Sequence, residues 1–221
     1  MIEHPEAQRR AQQEIEAVIG TERLPCFSDR DVLPYVEALV SEIMRYYTLV
    51  PIGKPLFSTD NVYAKASKQS LGIPHKSQED DIHDGYFIPK GSIMLQNIWF
   101  VYIILLSYHS LPMHLNRLMA HDESVYKHPF SFDPTRFMGP NPERDVRSYC
   151  FGFGRRACPG KHLADASIWI ACARILAVFN IGPIPGEKFE AKVAPGISSH
   201  PEHFECKIEA RSEKAKKLLD V

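Results

Sequence analysis

The sequence predicts a mainly α chain with small β-sheets, an α+β arrangement. Three observations carry that reading. Two helical stripes of apolar residues lie near the start, a long apolar run covers Leu163 to Phe179, and short strand-and-turn units fill much of the rest.

The elements follow in order. Pro5 suits a first helical turn, and Ala7, Ala11, Ile15 and Val18 make a stripe that stops at Gly20. A linker holding Pro25 and Cys26 leads to Pro34. From there Val36, Leu39, Val40, Ile43 and Tyr47 mark a second helix with a buried stripe. Asp80 through Gln96 reads as short strands with turns at Asp84-Gly85 and Pro89-Lys90-Gly91. Lys127 to Tyr149 is rich in Pro, Asn, Asp and Arg without periodicity, which describes a packed loop region. Leu163 to Phe179 is mostly apolar on all sides, so that helix is expected to be buried. Gly182, Pro183, Pro185 and Gly186 end it, and His203 to Glu209 is strand-like.

Composition bounds the function only loosely. A formal net charge of −1 gives no electrostatic case for nucleic acid as a partner. Cys26, Cys150, Cys158, Cys172 and Cys206 show no C-x-x-C pairing, which argues against a zinc site. The odd number of cysteines and the lack of a signal peptide suggest reduced thiols in a cytosol-facing setting.

The chemistry lies in Phe151-Gly152-Phe153-Gly154-Arg155-Arg156-Ala157-Cys158-Pro159-Gly160. Gly154 and Gly160 allow the chain to curl around the sulfur. Curling should turn successive amides toward Cys158 and favour the thiolate. Arg156 is a fixed cation suited to a carboxylate or phosphate on a ligand, and Phe151 offers an aromatic face beside the sulfur. A structural cysteine in a Gly-rich turn is the alternative. Five fixed positions in order, ahead of an apolar helix, weigh against it.

Those five positions, Phe151, Gly154, Arg156, Cys158 and Gly160, resemble the F-x-x-G-x-R-x-C-x-G haem-binding motif of cytochrome P450 enzymes. Upstream, Glu42-Ile43-Met44-Arg45 resembles the family's E-x-x-R, and Pro134-Thr135-Arg136-Phe137 its P-x-R-F element. The resemblance implies the carboxy-terminal portion of a cytochrome P450 fold: helices J and K, a small sheet, the meander, the cysteine loop and helix L. It also implies that Glu42, Arg45 and Arg136 form a buried structural triad. Ile73-Pro74-His75 is similar to the strand whose His or Arg holds a haem propionate; an exposed His beside a turn is the equal alternative.

The implied cofactor is haem b, its iron held by the thiolate of Cys158 as the only metal ligand from the protein. Arg156 and His75 are the implied propionate partners, and Phe151 shields the sulfur. The implied activity is a monooxygenase that inserts one oxygen atom of dioxygen into a small apolar substrate. Its implied electron donor is NADPH–cytochrome P450 reductase, at the cytosolic face of the endoplasmic reticulum membrane. The start of the chain resembles eukaryotic microsomal members. Tyr86 to Gly91 and His121-Asp122-Glu123-Ser124 are similar to fungal members related to O-methylsterigmatocystin oxidoreductases.

Residues 1–221 are read as one partial domain, starting just before helix J, without a counterpart of the oxygen-activating I helix or a membrane anchor. A non-catalytic truncated fragment is therefore the alternative function. A P450-like isomerase or dehydratase needing no reductase is a third. Two segments, 52–70 and 100–118, interrupt the resemblance and read as retained introns, because removing each restores an uninterrupted family-like run. Genuine surface insertions are the alternative, since loops tolerate length cheaply.

Overall fold

The structure, a computed structural model, describes residues 1–47, 75–94, 120–152, 154–187, 189, 193–194 and 200–219. The segments 52–70 and 100–118 lie outside the described residues, as does the side chain of His75.

Helix α1 (Pro5–Val18) has Pro in its first turn, as expected, and closes at Gly20, whose φ is +81°. Ala7, Ala11 and Ile15 are buried, while Val18 at the end of the stripe is half exposed. Helix α2 (Pro34–Tyr46) lacks a side-chain cap of its own at Leu33. Glu14 of α1 supplies one: the Tyr35 and Val36 amides donate to its two carboxylate oxygens at 2.8 and 2.9 Å. A carboxylate at a helix N-terminus satisfies orphan amides and complements the dipole. The two helices are thus joined by charge as well as by the apolar contact of Ile15, Val36, Leu39 and Val40.

Among the described residues, four two-stranded antiparallel units accompany the helices. Strand β1 (His75–Lys76) pairs with β4 (Ile93–Met94), and β2 (Asp81–His83) pairs with β3 (Tyr86–Ile88) across the expected Asp84-Gly85 turn. Strands β5 (Phe179–Gly182) and β8 (Lys207–Ala210) pair over four residues, and β6 (Val193–Ala194) meets β7 (His200–Pro201). The strand expected at 203–209 therefore begins later and runs to Ala210. Gln8 and Gln12 of α1 face β5. The Gln8 amide exchanges two hydrogen bonds with the Ile181 backbone, both 3.0 Å, as a neighbouring strand would. Short helix α4 (Glu213–Lys217) follows, capped by the Ser212 hydroxyl.

The long helix α3 (Lys161–Val178) forms where expected, but it is not buried all round. Trp169, Ala173, Leu176 and Val178 face the core, whereas Leu163 is 74% exposed and Ile175 43%. The expectation fails because all-round apolarity states which surface can be covered, not what covers it. Around the core of α1, α2 and α3 wraps the segment 120–152, which carries 3₁₀ turns at Pro134–Phe137 and Val146–Ser148 as the expected packed loop region. A further 3₁₀ turn at Phe27–Val32 occupies the stretch read as linker.

Candidate haem-thiolate site

Two devices order the chain ahead of the cysteine loop. The first is the expected triad. Glu42 and Arg45 are both wholly buried. Arg45 Nε and Nη2 each donate to the Glu42 carboxylate at 2.7 Å in a bidentate fork. Arg136 lies 3.3 Å from the same carboxylate, and the Asp133 amide donates to it at 2.8 Å. The remaining guanidinium donors also find partners. Arg45 Nη1 reaches the Ala120 and Pro129 carbonyls at 2.7 and 2.8 Å. Arg136 reaches Glu143 at 2.8 Å and the Lys127 and Ser131 carbonyls at 2.7 and 2.9 Å. Every charge is paired, which is the condition for tolerating a buried ion cluster. Burial works to lower the Arg136 guanidinium, but the Glu143 and Glu42 carboxylates outweigh it and raise it above its ordinary value.

The second device is a pair of buried tyrosines. Tyr126 and Tyr149 share a hydroxyl–hydroxyl hydrogen bond of 2.8 Å, and the Tyr126 hydroxyl also donates to the Arg144 carbonyl. Desolvation pushes both phenols up. Tyr149 thereby anchors the chain just before the loop, where Cys150 and Phe151 pack against the core.

From this anchor the loop turns outward. Gly152 and Gly154 take φ of +79° and +57°, a region that favours glycine. Gly160 does not need that freedom, contrary to expectation: its φ is −89°. A Cβ there would sit 3.9 Å from the Cys158 sulfur, an ordinary van der Waals contact. The Cys158 amide donates to the Phe151 carbonyl at 2.8 Å and the Ala157 amide to that of Gly154 at 3.2 Å. These two amides therefore close the loop rather than point at the sulfur, a second departure from expectation. Cys158 itself is exposed. Arg156 is also exposed, in the 3₁₀ turn Gly154–Arg156, and Phe151 is half-buried at the base. The backbone of His75 pairs with Met94, in a different part of the chain from the loop.

The donor set fits one metal ligand from the protein. Among the described residues no group of three or more His, Cys, Asp or Glu could hold a metal ion. An exposed thiol without companion ligands suits a macrocycle that brings its own nitrogen donors, as in haem-thiolate proteins.

Sequence reasoning missed Asp165 and Arg147, which bridge the two ends of the loop at 2.5 Å. A signal existed: Asp165 and Arg174 are the only charged residues in the apolar run 163–179.

Comparison with known proteins agrees with this geometry. The family model described as Cytochrome P450 matches residues 1–61 and 114–208. Cytochrome P450 monooxygenase 208 of Postia placenta is 43% identical over 98% of this chain, which spans 36% of that protein. Cytochrome P450 monooxygenase claR of Ampulloclitocybe clavipes is 39% identical over 99% of the chain, which spans 35% of it. A zebrafish cytochrome P450, in a structure described as with abiraterone, superposes with a TM-score of 0.71 at 26% identity, covering 95% of this chain and 41% of that one. The chain belongs to the cytochrome P450 family and has the P450 fold over a partial length. It spans roughly a third of the curated relatives it matches. No helix among the described residues is long and apolar enough to cross a membrane.

Proposed function

We infer that this chain is the haem-holding portion of a haem-thiolate monooxygenase that inserts one oxygen atom of dioxygen into a small apolar substrate. The observation that carries the reading is the exposed Cys158 sulfur, held on a loop that starts from the buried Tyr126–Tyr149 pair and is closed by the Cys158 amide on the Phe151 carbonyl. Haem b, when bound, supplies the activation of dioxygen. The thiolate of Cys158 would hold the haem iron and would supply electron density to it. Arg156 places a permanent cation two residues from Cys158 and pairs with a propionate; His75 is the second propionate partner. Phe151 shields the sulfur from the core side. Electrons come from NADPH–cytochrome P450 reductase at the cytosolic face of the endoplasmic reticulum, and the second oxygen atom leaves as water.

Membership of the branch related to fungal O-methylsterigmatocystin oxidoreductases is supported by Tyr86 to Gly91 and by His121 to Ser124. We further read 52–70 and 100–118 as retained introns within one partial domain over 1–221. The family match leaves residues 62–113 uncovered, which takes in part of each segment together with the stretch 71–99 between them. A transcript running through both segments would remove the intron reading.

Purified chain loaded with haem tests the site. A thiolate-type ferrous–CO Soret band that disappears in Cys158→Ala is the expected result; its survival in that variant overturns the assignment. The exposed Leu163 and Ile175 favour a second reading, a fragment that catalyses nothing. Haem lost on gel filtration would support it.

A further inference from the structure

The ends of the cysteine loop are tied together by an ion network to which the haem-thiolate reading gives no role. Arg147 stands before the loop and Asp165 after it, on α3. Arg147 Nε donates to Asp165 Oδ1 at 2.5 Å. Arg30 takes the other oxygen, Nη1 lying 2.7 Å from Oδ2.

Both guanidinium groups then converge on Glu37 of α2. Arg30 donates to its two oxygens at 2.9 and 3.0 Å. Arg147 Nη2 lies 2.9 Å from Oε1 as an ion pair, and its Nη1 donates to Ser41 Oγ at 2.8 Å. The Arg30 guanidinium also lies 5.7 Å from the ring centroid of fully buried Trp169. Asp145, mostly exposed, approaches Arg147 at 3.4 Å.

Two cations thus face two principal carboxylates, in side chains only 18 to 34% exposed. Such pairs are screened less than surface pairs. Their arrangement has a consequence for the loop. Glu37 and Ser41 lie one turn apart on the helix that also carries Glu42 and Arg45. Helix α2 therefore holds two separate charged braces. The triad fixes the segment 120–137, whereas Arg30, Glu37, Arg147 and Asp165 fix both ends of the loop that presents Cys158.

We propose that this four-residue clamp is a positioning device for the Cys158 thiolate, with Asp165 as the residue that closes it. The proposal rests on the reading of Cys158 as the iron ligand. It assigns Asp165 no contact with the cofactor. Its action is to hold the loop ends at a fixed separation, so that the sulfur meets the iron rather than drifting from it.

The test compares Asp165→Asn and Asp165→Glu with the unaltered chain after haem loading. The readout is the share of bound haem that gives a thiolate-type ferrous–CO band, normalised to total haem. Asp165→Asn is expected to lower that share at least about twofold, the low end of coupling within one charged network. Asp165→Glu is expected to recover most of it. A role confined to overall stability would reduce the yield of folded protein and leave the share unchanged, and that result overturns the proposal.

Should Asp165→Asn fail to fold, Arg30→Gln removes one arm while keeping the Arg147–Asp165 bridge, and a share equal to that of the unaltered chain then overturns it. Absence of any thiolate-type band in the unaltered chain sinks the haem-thiolate reading itself. In that event the clamp is judged by amide hydrogen exchange over residues 151–160. Selective loss of protection there in Asp165→Asn supports it, and unchanged protection overturns it.

Discussion

Replacing Glu42 by Gln keeps the shape of a wholly buried side chain and removes only its charge. The carboxylate accepts four hydrogen bonds: two from Arg45 at 2.7 Å, one from the Asp133 amide at 2.8 Å and one from Arg136 at 3.3 Å. An amide supplies one carbonyl in place of two carboxylate oxygens and turns an NH2 group toward donors. Both guanidinium groups keep their charge, so Arg45, also wholly buried, loses the Glu42 carboxylate that pairs with it. Breaking a buried pair in this way costs about 3–5 kcal/mol. Against a stability of roughly 5–15 kcal/mol for a typical domain, that is a large share. Urea unfolding followed by circular dichroism reads it directly. With a slope of about 2 kcal/mol per molar urea, the midpoint should fall by roughly 1.5–2.5 M. Glu6→Gln, which removes an exposed pair with Arg9, is the control and should shift it by less than about 0.5 M. An E42Q midpoint within the control's range would refute the claim that the triad holds the meander.

Three further outcomes are expected. His121 is buried, and desolvation, helped by the Arg45 and Arg136 charges, holds its pKa down at about 4 against an ordinary 6.5. The native state therefore keeps it neutral, so its contribution is complete above pH 6.5 and is lost as pH falls toward 4, up to about 3 kcal/mol. His4, lowered chiefly by burial, acts in the same direction. Stability measured from pH 7 to pH 4.5 should fall, and His121→Gln should flatten the slope; an unchanged slope contradicts the assignment. Among the thiols, burial pushes Cys150 up to about 12 and Cys172 to about 11, while Cys158 is exposed. Alkylation at pH 8 mapped by mass spectrometry should therefore label Cys158 ahead of both. The glycines should differ as their backbones do. Gly154→Ala forces φ near +57° on a residue with a Cβ and should cost about 1–2 kcal/mol. Gly160→Ala, at φ −89°, should cost less than about 0.5 kcal/mol in the same thermal or urea assay.

Much of the chain is legible because its information is local. The α1 and α2 stripes, the Asp84-Gly85 hairpin and the Glu42–Arg45 pair each depend on residues a few positions apart. Arg136 was reached only through a motif, since 91 residues separate it from Arg45 and no periodicity links them. Other features are not local at all. Glu14 caps a helix 20 residues on, and the clamp joins Arg30, Glu37, Arg147 and Asp165 from four parts of the chain. The 3₁₀ turn at Phe27–Val32 was hidden in a short stretch without periodicity. It is held by Asp29, which accepts from Arg23 and from the Cys26 amide. Leu163 shows the opposite limit: its apolarity was plain, but exposure depends on neighbours that a sequence pattern does not name.

On the proposed function, Cys158 is the residue that ties this chain to iron. X-ray absorption at the iron edge of the haem-loaded chain tests it most directly, because sulfur scatters differently from the porphyrin nitrogens. One sulfur in the first coordination sphere, absent in Cys158→Ser, is the predicted result. An iron environment without sulfur, or one whose sulfur persists in Cys158→Ser, would contradict the account.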